Sequence, residues 1–300
     1  MEISWRGVES KLKHRIKTLA ALLQEVDVTT FYSLNCLAYL KDPTTGNYSY
    51  LFQPPAGHSE NPAFTTLAYL LTEGALVPSL NDRIALAILL VETVLQLHTS
   101  GWLHKGIRSD NVLSFPQKPE SIDITIAVLE GYEYARADNP SGMTESPTLQ
   151  QEENLYRHPA LLKPDRAYFH KAYDLYALGC TLIEIGLQTH MSTILLHSVR
   201  KERNAAKSAT RILSNLTYEG KAEMAEVNRA KNRLLMDTDT GSIEELLTFA
   251  MGRSFVEVVR ACLAAGTDMG TTEDGAEESE EDRCIDLELD LLEKLRACSI

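Results

Sequence analysis

The chain has 300 residues, of which 44% are hydrophobic, and a formal net charge of -13. That length buries a large core as one two-lobed domain or two small ones, and the acidic balance argues against a nucleic-acid partner, which needs clustered Lys and Arg. Apolar runs such as Ile84 to Leu90 are broken by Glu92 and Gln96 before membrane-spanning length, and Met1 to Arg6 has no basic segment leading into an apolar one, so neither a membrane partner nor secretion is expected.

Val8, Leu12, Ile16, Leu19, Leu23 and Val26 recur at three- to four-residue spacing, which predicts a helix over about residues 8–26. Leu34 to Leu40 and Tyr48 to Phe52 are strand-like and flank Asp42-Pro43-Thr44-Thr45-Gly46-Asn47, a turn-rich stretch that suits an antiparallel hairpin. Pro54-Pro55 stops the second strand, because proline has no N–H to give a ladder. From Ser79, a predicted N-cap, the chain reads as a helix apolar nearly all round to Leu97 and therefore buried, ended by Gly101. Val112 to Phe115 reads as a strand. The alternation of Ile122, Ile124, Ile126 and Val128 with Asp123, Thr125 and Ala127 predicts another, joined to it through Pro116 to Pro119.

Residues 137–155, rich in Ser, Thr, Pro and Glu, have no periodicity and read as a mobile loop; Ser146-Pro147 within it is a candidate modification site. A second apolar helix is predicted over Tyr173 to Leu187 and a charged helical stretch over residues 198–236. One further helix is expected over Phe249 to Ala264, and a last one over Asp286 to Ala297. Residues 268–283 contain seven acids within ten positions, Glu273 to Asp282; their mutual repulsion predicts a disordered loop, with an acidic docking segment for a basic partner as the sharper reading. Cys36, Cys180, Cys262, Cys284 and Cys298 have no paired metal-ligand spacing and read as reduced thiols of an intracellular, cytoplasmic protein.

Four motifs follow one another in a telling order: His104-Lys105-Gly106-Ile107-Arg108-Ser109-Asp110-Asn111, Gly131-Tyr132-Glu133-Tyr134-Ala135-Arg136, Tyr156-Arg157-His158-Pro159-Ala160 and Asp174-Leu175-Tyr176-Ala177-Leu178-Gly179. They resemble, in turn, the H-R-D-L-x-x-x-N catalytic loop, the D-F-G segment, the Y-R-A-P-E end of the activation segment and the D-x-W-S-L-G start of the central helix of protein kinases. Leu97 to Lys105, Ser109 to Leu113 and Phe249 to Phe255 further resemble the degenerate kinase-like domains, or pseudokinases, of filamentous-fungal proteins, often associated with cell-death or prion-propagation modules. The likeness covers about residues 3–297. It implies an α+β, protein-kinase-like fold with a reduced N-terminal lobe over residues 1–53, one helix plus a few antiparallel strands, and a mainly helical C-terminal lobe over residues 54–300.

On that resemblance the general base falls at Gly106, the metal-holding Asp at Gly131 and the A-P-E Glu at Ala160, so all three carboxylates are missing. No G-x-G-x-x-G precedes the hairpin and no V-A-I-K-like strand offers a lysine; Ile3-Ser4-Trp5-Arg6 reads as a remnant of that strand. The loop residues His104, Lys105, Gly106, Arg108, Asp110 and Asn111 are the catalytic-position candidates. Arg108 stands where kinases carry a phosphate-contacting Lys. Nucleotide-binding candidates are Gln53 at the hinge, Asn111 and Gly131, and Asn111 is the one metal candidate. The resemblance makes His104, Asp174, Arg157 and Pro159 structural.

The expected function is a catalytically inactive interaction or regulatory module with a protein partner and no cofactor. The alternative is an atypical ATP- and magnesium-dependent phosphotransferase using Asp110, or Glu130 or Glu133, in place of the lost carboxylates. Aminoglycoside-phosphotransferase-like enzymes with an H-G-D-x-x-x-x-N loop also need the Asp that Gly106 replaces.

Overall fold

The computed structural model describes residues 5–25, 31–58, 62–74, 77–116, 122–138, 153–162, 168–194, 243–266 and 280–298. The chain opens with α1 (Trp5–Glu25), in whose apolar stripe Ile16, Leu19 and Leu23 are buried. Trp5 and Arg6 begin this helix, so they belong to no strand; Ile3 and Ser4 lie outside the described residues. Strands β1 (Cys36–Lys41) and β2 (Tyr48–Phe52) pair antiparallel from Cys36↔Phe52 to Lys41↔Tyr48. The Asp42 carboxylate holds the turn between them by accepting the N–H of Thr44 at 2.7 Å and the hydroxyl of Thr45 at 2.8 Å. Leu19, Leu23 and Cys36 form a small core with Leu97, Trp102 and Tyr132, which fastens α1 and the hairpin to the rest of the molecule.

After β3 (Thr65–Thr66), which pairs with a later strand, comes α2 (Leu67–Glu73), capped by the Thr66 hydroxyl. The long α3 (Leu80–Thr99) starts on a capping box: the Ser79 hydroxyl accepts the Asp82 N–H at 3.1 Å and the Asp82 carboxylate accepts the Ser79 N–H at 2.9 Å. Its residues Ile84, Leu86, Leu89, Leu90 and Val94 enter the main core, each fully buried side chain of this kind contributing about 1.5–3 kcal/mol. Strands β4 (Trp102–Leu103), β5 (Val112–Ser114), β6 (Val128–Leu129) and β7 (Arg136–Ala137) are short, and pair β3-β5-β6 and β4-β7. The strand expected from Ile122 is shorter than its alternation suggests. Asp123 accepts the N–H and the hydroxyl of Thr125, which turns Ile124–Ile126 into a 3-10 coil and leaves only Val128 and Leu129 in the ladder.

The central helix α4 (Lys171–Leu187) is buried from Lys171 to Gly186 and packs on α3, on α5 (Ile243–Met251) and on α6 (Arg253–Ala264). The single helix expected over Phe249 to Ala264 is two, because Gly252 breaks it. The last helix α7 (Glu280–Cys298) begins inside the acidic run, six residues before the expected start at Asp286, and so removes Glu280 to Arg283 from the loop expected over 268–283. Residues 267–279, 139–152 and 195–242, where the rest of that loop, most of the polar 137–155 loop and the charged helical stretch were expected, lie outside the described residues. At the ends of the polar stretch, Ala137 belongs to β7 and Glu153–Leu155 is a 3-10 turn. No described helix is long and apolar enough to cross a membrane.

Candidate functional site

The loop from His104 to Asn111 is held from below by Asp174, which sits in the first turn of α4 and is wholly buried. Its two carboxylate oxygens accept the backbone N–H of His104 and of Lys105, each at 2.7 Å. One of them also lies 3.3 Å from Nε2 of His98, whose Nδ1 bonds Glu288 of α7. Burial alone would lower the His98 pKa, but Glu288 and Asp174 outweigh it and lift it to about 9, so His98 is an imidazolium between two carboxylates. This buried triad ties α3, the loop, α4 and α7 together. His104 is its opposite: burial pushes its pKa down to about 4, so the ring is neutral. Its Nδ1 accepts the Gly106 N–H at 3.2 Å, which places the ring proton on Nε2, and the ring lies 4.7 Å from that of Tyr132.

Above this scaffold, Gly106, Asn111 and Gly131 close on one another. The Asn111 amide donates to the Gly106 carbonyl at 2.7 Å, and the Glu130 N–H donates to the Asn111 carbonyl at 2.8 Å. Gly131 has φ +90, and a Cβ placed on it would lie 2.1 Å from Nδ2 of Asn111. A Cβ on Gly106 would meet the Gly131 carbonyl at 2.9 Å. The Asn111 carboxamide therefore lies where a side chain at position 131 would start, and would have to turn aside for one, while the Gly131 carbonyl presses on position 106.

The remaining charged candidates are engaged elsewhere. Arg108 donates to Glu153 at 2.9 Å, and Arg157 lies 3.7 Å from the other oxygen of the same carboxylate, so the guanidinium expected to face a phosphate is held in an internal ion pair. Burial would lower the Arg108 pKa, but Glu153 raises it on balance. Asp110 is 43% exposed and 3.8 Å from Arg108, at the solvent edge of the loop. The Glu130 carboxylate turns towards the link between α1 and β1, accepting the Leu34 N–H at 2.7 Å and the Ser33 hydroxyl at 3.3 Å. Burial pushes its pKa up to about 8 against those two hydrogen bonds. It does not face Asn111 as a replacement metal ligand would. Gln53 is exposed at the exit of the hairpin, its N–H on the Asn35 carbonyl, and Pro159 opens a 3-10 turn to Leu162.

Two acids escaped sequence reasoning, Glu153 and Glu184. Glu153 sits in a stretch with no periodicity to single it out. Glu184 lies within the apolar α4, where an isolated charge in a buried helix is itself the signal; its carboxyl is bonded by the Tyr156 hydroxyl at 2.8 Å. A cleft opens beside Glu153 and Tyr156, lined by Lys105, Arg108, Tyr134, Arg157, Phe169 and Tyr173.

No protein-family description and no curated protein matches the sequence. Among solved structures, a chain of the crystal structure of the yeast RNA Pol II CTD kinase CTDK-1 complex superposes with a TM-score of 0.52, covering 83% of this chain and 74% of that one at 17% identity. The chain has a protein-kinase-like α+β fold. In a kinase the metal ions bridging the nucleotide phosphates are held by the D-F-G Asp and the catalytic-loop Asn. The kinase-like chain fits that group poorly: Gly131 brings no carboxylate, and the Asn111 carboxamide lies against the position that a side chain there would take.

Proposed function

We propose that this is a catalytically inactive kinase-like domain, a pseudokinase, that serves as a protein-interaction or regulatory module in the cytoplasm. It would need no nucleotide or metal and would engage a protein partner, not nucleic acid or a membrane. The single observation that carries the reading is the packing of Asn111 on Gly131. Phosphoryl transfer is mostly positioning and charge neutralisation, so a chain without the metal carboxylate, and with Asn111 lying against its place, has lost the clamp and not only the base. A missing base alone would cost a factor of roughly a hundred to ten thousand, which some enzymes survive. The scaffold beneath, with Asp174 on the loop backbone, is the part a binding surface still needs. The phrases from Leu97 to Leu113 further support placing the domain with the degenerate kinase-like domains of filamentous fungi and their regulatory settings.

Thermal denaturation with ATP and magnesium, and with ATP alone, tests the proposal. The expected outcome is no magnesium-dependent stabilisation. A magnesium-dependent rise in melting temperature that Asp110→Ala abolishes would establish the phosphotransferase reading instead.

A further inference from the structure

Glu184, wholly buried in α4, is where three segments meet. Its Oε1 accepts the Tyr156 O–H at 2.8 Å and the Met191 N–H at 2.7 Å. The Tyr156 oxygen in turn lies 3.1 Å from the Ser109 hydroxyl and 3.3 Å from Nε2 of His190. The other carboxylate oxygen, Oε2, is buried without a hydrogen-bond partner. A buried oxygen in that state is costly as part of an anion and far less so as the O–H of a neutral acid.

Of the charged and titratable groups described around it, His190 alone would support an anion by its charge, and only when its ring is protonated. The loop contributes Asp110, whose charge disfavours a second anion, and the 153–162 segment contributes the Tyr156 phenol. The turn after α4 contributes His190, with Nε2 3.7 Å from Oε1. From α3, Arg83 donates to the Gly186 carbonyl at 3.0 Å and not to Glu184. Helices α5 and α6 present the apolar Leu247, Met251 and Phe255 two residues along, at Gly186, and the Glu288 carboxylate of α7 is taken by His98.

We propose that Glu184 is a proton-operated latch: as the neutral acid, protonated on Oε2, it holds Tyr156, and with it the segment from Glu153 to Leu162, against α4 and the loop at Ser109. Opening of the segment hydrates the carboxyl and releases one proton to solvent. Because Tyr156 lies between Glu153 and Arg157, the same opening loosens the ion pairs to Arg108 and widens the cleft lined by Lys105, Arg108 and Phe169. The latch goes beyond the reading of the domain as inactive and does not depend on it.

Burial raises the Glu184 pKa from an ordinary 4.5 to about 8, against the opposing pull of the Met191 N–H and the Tyr156 O–H. A raised value means that the latch contributes fully below the ordinary value and is lost as pH rises towards about 8. The opening equilibrium of the segment then grows about tenfold per pH unit across that window and levels off above it.

The test is a carbon-13 titration of the Glu184 carboxyl in the wild-type protein, read alongside the Met191 amide, with hydrogen exchange of residues 153–162 over the same pH range. The expected result is a shared midpoint near 8 and an opening constant that climbs below it. Glu184→Gln, neutral at every pH, should remove the climb, and Tyr156→Phe, which deletes a donor to the carboxylate, should move the midpoint up. A wild-type midpoint near 4.5, or a titration that leaves exchange of the segment flat once intrinsic rates are removed, would overturn the latch. Retention of the climb in Glu184→Gln would do the same. The first readout uses the unmodified protein, so a variant that fails to fold leaves the answer intact.

Discussion

The lower half of the site and its upper half have met opposite fates. Below, Asp174 takes two backbone N–H groups of the loop and shares the buried His98 imidazolium with Glu288. Above, where a kinase aims carboxylates at metal and substrate, two glycines and an asparagine amide pack into one another. The lower groups hold the chain in place whether or not it reacts. The upper groups matter for chemistry, and under the proposed inactive reading a neighbour takes up their space. The comparison separates what a kinase-like loop needs in order to fold from what it needs in order to work.

The largest effect is expected where the lower half is cut. Asp174→Ala strips two N–H groups of their acceptor and unbalances a buried charge triad, so it should cost about 3–5 kcal/mol in urea unfolding, with Asp174→Asn costing less because one acceptor oxygen remains. A loss below about 1 kcal/mol for Asp174→Ala would break the distinction, since that is the scale of a single exposed contact. Restoring chemistry above should also destabilise. Gly106→Asp drives a Cβ to within 2.9 Å of the Gly131 carbonyl and should cost about 1–3 kcal/mol without gaining magnesium-dependent ATP binding by calorimetry.

Glu130 sharpens the comparison, being an acid next to Gly131 whose carboxylate serves the fold. Its pKa is raised to about 8, so its contribution is complete below an ordinary 4.5 and is lost as pH rises through about 8. Glu130→Gln keeps an acceptor for the Leu34 N–H and should flatten the fall in stability across that window, gaining on the order of 1–2 kcal/mol over wild type at the alkaline end. The smallest effect belongs to the partly exposed Arg108. Arg108→Ala should cost about 1 kcal/mol through the Glu153 pair and leave the loop backbone, followed by amide exchange at His104 and Lys105, unchanged.

Much of this was legible in the chain, for reasons that can be stated locally. Ser79 announces an N-cap by its type and its place before the apolar run, and the helices at Leu80 and Lys171 are long enough for their apolar character to dominate. His104, Gly106, Asn111, Gly131 and Asp174, all singled out by motif, are brought together in space. What sequence missed depended on competition between local and distant effects. Alternation from Ile122 to Val128 promised a strand, but Asp123 offered its carboxylate to Thr125 and curled the chain first. The helix at Leu67 is only seven residues long, too short for periodicity to reveal. The acids near Glu280 suggested disorder, whereas Cys284, Leu291, Leu292 and Leu295 of the same helix are buried and anchor it. The collapse of position 131 onto Asn111 could not be read at all, because twenty residues separate them and only the φ of Gly131 and the direction of the amide decide it.

That collapse is the central claim, and a double-mutant cycle between Gly131→Ala and Asn111→Ala tests it most directly. In the wild-type background the new Cβ meets the amide at 2.1 Å at a backbone φ of +90, so a loss of about 3 kcal/mol or more is expected by denaturant unfolding. With Asn111 already shortened to Ala, only the backbone strain remains, and the loss should shrink to about 1–2 kcal/mol. Equal losses in the two backgrounds would mean that Asn111 does not occupy the missing carboxylate's space, and the account of an inactive site would fall with it.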